Sequence, residues 1–151
     1  MNKWHKLFIL SLGIVFLFAL MDTMQIVAVH ETQQWDVYNA ITAPAILFLW
    51  YAVLVVFGIF YYVLKKDKSE SVAVVAAPMI MLFFGLEDFF FFLIKGEWIT
   101  PCMDWFSYAP HTWVNSLLGV SCTSFKTLCL TALAGVGVSY FVFVKLKEAK
   151  W

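Results

Sequence analysis

Reading the chain for uninterrupted apolar runs divides it into four stretches, each bounded by charged or turn-forming residues. A helix that crosses a bilayer needs about 20 mainly apolar residues. The first run covers residues 7–29 and follows Lys3 and Lys6. The second, 43–64, stops at Lys65-Lys66-Asp67-Lys68, and the third, 72–94, ends at Lys95-Gly96-Glu97. The fourth, 117–144, has a blurred start, because Asn115-Ser116 and Ser121-Cys122-Thr123-Ser124 interrupt it; it ends before Lys145 and Lys147. Residues from Pro110 onward read as a short interfacial helix leading into it. The pattern predicts an all-α, polytopic membrane protein, a four-transmembrane-helix bundle forming one domain. The lysines before the first run also resemble the start of a signal peptide, but the run is long for one, so an uncleaved anchor is expected.

Lysine placement orients these spans. Short loops rich in lysine stay on the cytoplasmic side. The two tails and the turn at 65–68 hold Lys3, Lys6, Lys65, Lys66, Lys68, Lys145, Lys147 and Lys150, whereas the opposite loops hold only Lys95. Both termini are therefore expected in the cytoplasm (N-in/C-in), with the chain integral to the cell membrane. Trp4, Trp35, Trp98, Trp105, Trp113 and Trp151 fall near span ends, where interfacial aromatic residues collect.

Composition agrees and removes several function classes. The chain is 63% hydrophobic and 13% charged, against about half and about a quarter in soluble domains. All its basic residues are lysine, so guanidinium recognition of phosphate is excluded and no nucleic-acid partner is expected. Cys102, Cys122 and Cys129 show no metal-binding spacing. There is no P-loop, dinucleotide fingerprint, nucleophile elbow or haem attachment motif.

Orientation then changes the meaning of the polar residues. The loops around 30–42 and 96–112 share one side and carry His30, Asp104 and His111. Asp22, Glu87 and Asp88 lie toward the same side within spans, Asp22 about 12 Å below the surface at helical rise. Lys126 reaches a similar depth in the fourth span, with Asn115 just before it. An ionised group in hydrocarbon costs about 2.5 kcal/mol or more, so such residues face the bundle interior and pair. The expectation is one shared cavity in the outer half: Asp22, Glu87 and Asp88 as acids, Lys126 and Asn115 as charge or binding partners. Glu87 and Asp88 differ by about 100° in direction on a helix, so Glu87 is aimed inward and Asp88 toward a neighbour. A structural ion pair holding helices together explains the same residues without chemistry. The inner half reads as scaffold.

A carboxyl in an apolar wall is suited to proton transfer, and adjacent aromatic faces stabilise a cation. Together these are the requirements of a reaction that protonates an isoprenoid alkene. Gly85-Leu86-Glu87-Asp88-Phe89-Phe90-Phe91-Phe92 resembles the acidic pair followed by phenylalanines in the small membrane-embedded lycopene cyclases. The resemblance implies Glu87 and Asp88 as the acids and a membrane lipid as the substrate. It spans eight residues, with glycine at 85 where that family carries a proline shortly before the acids, and the acids fall late in their span.

Other readings stand beside it. His30, His111 and Asp104, joined by the acids, form a candidate site for a divalent metal built from separate helices. A subunit role in a larger membrane complex or homo-oligomer fits a chain of short-looped spans, and an apolar-ligand pocket anchored by Asp22 and Glu87 is a further alternative.

Overall fold

The computed structural model describes residues 2–33, 43–96, 110–117, 119 and 123–149. Among them the chain is all-helical. In order the helices are α1 (Lys3–Thr32), α2 (Ala43–Lys65), α3 (Lys68–Phe83), α4 (Leu86–Lys95), α5 (Pro110–Leu117) and α6 (Phe125–Glu148). α1, α2 and α6 are each long and apolar enough to cross a membrane; α3 and α4 qualify only as a bent pair. The described residues thus hold three candidate spans, or four if the pair is one broken crossing.

That break is the main departure from the pattern read along the sequence. Residues 72–94 do not form one straight helix: α3 and α4 meet at 65°. Gly85 sits at φ +79°, a left-handed conformation open to glycine at little cost. Phe84 closes α3 by donating its N–H to Ile80, and Phe89 donates to Gly85 to begin the α4 ladder. Pro78, buried within α3, removes a further intrahelical donor. α3 also starts earlier than expected, with Asp67 as N-cap accepting from the Glu70 N–H at 3.0 Å. The last span begins at Phe125, later than 117, because Ser124 and Thr127 form a capping box there. The separate helix expected from Pro110 is present as α5.

α3 is the hub: it packs on α1, α2 and α6, while α4 continues between α1 and α6. Small residues permit these approaches. A Cβ on Gly135 of α6 would stand 2.5 Å from the Phe84 Cβ, so the glycine lets α6 close on the break itself. Gly58 of α2 meets the Val75 side chain in the same way. The Ser139 hydroxyl donates to the Ala77 carbonyl at 3.1 Å, tying α6 to α3 in the core. Ser11 and Thr131 instead satisfy their hydroxyls on carbonyls of their own helices, Leu7 and Leu128. α2 is the outermost helix; Trp50 stacks on Phe18 of α1 at 5.0 Å, while Phe48, Ile59 and Phe60 face outward.

The two ends of the bundle can be told apart by contacts. Lys3 pairs with Asp67 and Glu70, Trp4 meets Phe143 edge-on at 5.3 Å, and the Ser69 hydroxyl donates to the Ala149 carbonyl. Both described chain ends and the 66–67 turn therefore share one end of the bundle, the terminal end. The helix break, the C-terminal part of α1 and the start of α6 lie toward the other.

Candidate functional site

Two buried carboxyls stand out, one toward each end. At the far end, Glu87 and Asp88 occupy the first turn of α4, directly after the glycine that breaks the helix. The first amide groups of a helix present partial positive charge, so this is a favourable place for acids. Glu87 turns inward and is 7% exposed, while Asp88 is half-buried. Asp22 approaches from α1, also half-buried, and both aspartates lie close enough for their charges to act on Glu87.

The walls follow from helical spacing. Ile26 lies one turn beyond Asp22, and Phe91 one turn beyond Glu87, so the residues that bring the acids in also bring an apolar cluster. Ile26, Phe91, Phe92 and Leu128 pack together, with Phe89 stacked on Phe125 at 6.0 Å. Within this setting the Glu87 Oε1 atom is buried and has no hydrogen-bond partner among the described residues. The Gln25 Oε1 atom, three residues after Asp22, is in the same condition. A buried acceptor without a donor costs about 1–3 kcal/mol, so it marks a place where the fold tolerates a penalty that packing alone would remove.

The other expected site residues divide. Lys126 does not neutralise Asp22 or Glu87: it is exposed in the first turn of α6 and forms no ion pair among the described residues. The reason is the late start of α6, which leaves Lys126 at its mouth rather than a third of the way down. Asn115 is 2% exposed, but its amide donates to the Thr123 hydroxyl at 3.1 Å, fastening α5 to the approach of α6. His30 is exposed in the last turn of α1. Asp104 and the His111 side chain lie outside the described residues. Among the described residues, no three His, Cys, Asp or Glu side chains group closely enough to share a metal ion.

At the terminal end the structure adds a buried acid that the sequence reading passed over. Glu70 is 1% exposed, accepts from the Tyr61 hydroxyl at 2.9 Å and pairs with Lys3. The inner half is therefore not plain scaffold. A signal was present: Asp67 followed by Glu70 has the spacing of a helix start. Treating 65–68 as a loop hid it, because the tally of lysines gave this stretch a role in orientation only.

Comparison of the chain with family models, with curated proteins and with solved structures finds no match.

Proposed function

We propose that this small integral membrane protein acts through a protonatable carboxyl site at the break between α3 and α4, exchanging a proton with an apolar lipid. The single observation that carries the reading is the buried Oε1 of Glu87, without a hydrogen-bond partner among the described residues, beside Asp22 and Asp88. A carboxyl required only for packing gains by finding a donor; one required for transfer keeps an oxygen uncommitted to any protein donor.

For an isoprenoid the chemistry balances without an oxidant or reductant. Glu87 gives its proton to one alkene carbon, a C–H bond forms from the π pair, and a cation develops on the adjacent carbon. Asp22, Asp88 and the phenylalanine faces stabilise that charge. Loss of a neighbouring proton to the Glu87 carboxylate closes the cycle, leaving an isomerised or cyclised lipid. With the lysine-rich terminal end in the cytoplasm, the site belongs to the outer leaflet. A four-span crossing follows if the bent pair is one span.

The test is a comparison of lipid extracts from cells that carry the wild-type chain, Glu87→Gln or Asp22→Asn, each checked for equal membrane abundance. An isoprenoid or other lipid isomer made by the wild type and missing in both variants supports the reading. Identical extracts from all three overturn it and leave a subunit or stabiliser role, in which the carboxyls carry no chemistry.

A further inference from the structure

The Lys65–Glu70 turn sorts its charges by direction. Asp67 and Glu70 are turned toward α1, where Lys3 pairs with both, and Tyr61 adds a hydrogen bond to Glu70. Lys66 and Lys68 take no part in this network and form no ion pair among the described residues. Lys66, in a left-handed conformation at φ 56°, carries its ammonium 5.9 Å from the centre of the Tyr62 ring. Lys68 is exposed at the first position of α3. Both acids of the turn are thus paired with Lys3, and the lysines that remain, Lys66 and Lys68, are exposed.

Lys68 stands at the head of a groove. Along the outside of the α2–α3 pair runs an open cleft of about 540 Å³, within the roughly 300–1,000 Å³ of small-molecule sites. Val55, Ile59, Val72, Val75 and Ala76 form its apolar length, and Tyr62 and Lys68 its polar end. The close contact of Gly58 with Val75 forms its floor, holding the two helices together without filling the space above. An apolar trough along α2 and α3, headed by Lys68 and by Tyr62, over whose ring the Lys66 ammonium lies, has the shape and charge order of one amphipathic molecule.

We propose that this groove binds an anionic phospholipid of the surrounding bilayer, an acyl chain lying along α2 and α3 and the phosphate held by Lys66 and Lys68. The site is separate from Glu87 and stands whether or not that carboxyl is chemical. Basic clusters at helix ends recognise anionic headgroups through charge near the membrane surface, and each lysine acts as a point charge that suits phosphate.

The test uses the full chain exchanged into vesicles of phosphatidylglycerol and phosphatidylcholine in equal parts, extracted gently and weighed by native mass spectrometry. The expected result is one retained lipid per chain, with phosphatidylglycerol favoured about thirtyfold, the scale of two lysines at a membrane surface. Lys66→Gln combined with Lys68→Gln should bring the two lipids near parity, whereas Lys147→Gln at the same end should leave the preference unchanged. Ala76→Phe, which fills the trough, should reduce retention of both lipids several-fold. Both lysine positions are exposed, so the double variant reports even if Ala76→Phe fails to fold. Equal retention of the two lipids by the wild type, or a preference untouched by the double variant, overturns the proposal. So does competition by free glycerol phosphate as strong as that by the lipid, or a lipid-free dimer with α2 cross-linked to α2.

Discussion

Glu70 and Glu87 are both buried glutamates of the α3–α4 pair, one near each end, and the fold treats them in opposite ways. The Glu70 carboxyl is met by two donors, Tyr61 from α2 and Lys3 from α1, and its own backbone N–H donates to the Asp67 cap. Glu87 lies beside phenylalanines and two further acids, with one oxygen unpartnered among the described residues. A buried polar group that has found its partners is cement between helices, and its removal is felt as lost stability. One that has not is a standing cost, and its removal should be felt elsewhere. The contrast separates adhesive from candidate chemistry without any appeal to resemblance.

Four substitutions, read by thermal unfolding in detergent micelles, would break or sharpen that contrast. The largest loss is expected at the joint that positions Glu87. Gly135→Val would drive a side chain into Phe84 and should cost about 3 kcal/mol, the upper part of the range for overpacking. A silent Gly135→Val would mean that the bend does not depend on α6. Glu70→Ala should cost about 2 kcal/mol, since it removes two hydrogen bonds to a charged group.

Lys3→Ala should be milder, about 0.5–1 kcal/mol, because the lysine is 62% exposed and water competes for it. Its effect should shrink in high salt, and a double-mutant cycle with Glu70→Ala should show the two losses to be non-additive. Glu87→Gln should change the midpoint least, by about 0.5 kcal/mol or less, because the amide keeps the shape of the carboxyl and its NH2 can take the place of the Oε1, which has no hydrogen bond to lose among the described residues. If Glu87→Gln destabilises the protein as much as Glu70→Ala does, the two glutamates are both cement and the proposed site falls.

How much of this was legible in the sequence differs from residue to residue. Helix-length apolar runs and the lysines around them identified α1, α2 and α6 to within a few residues at most ends, since hydropathy is summed over many positions and tolerates local error. The inward aim of Glu87 was legible too, because 100° per residue forbids two adjacent acids from sharing a direction. Lys126 was misread. Its depth depended on where α6 begins, and that is set by one capping box between Ser124 and Thr127 rather than by hydropathy. The partner that Asn115 takes, Thr123, is local, and nothing in the pattern of intramembrane charge points to it.

By itself, then, the sequence determined that this is an all-helical chain for an apolar environment, with most of its lysines gathered around the terminal end and most of its acids toward the other. Those properties depend only on residue type and order. The tertiary structure decided which buried acid is paired, where the third apolar run bends, and which lysine pairs with the acids of the 65–70 turn. Each of these turns on whether a particular donor or side chain from a distant helix arrives within about 3 Å, and that arrival depends on close contacts at Gly58 and Gly135 and on the left-handed turn at Gly85, which leave almost no trace in hydropathy. The runs set the helices; the contacts between them separated Glu70 from Glu87.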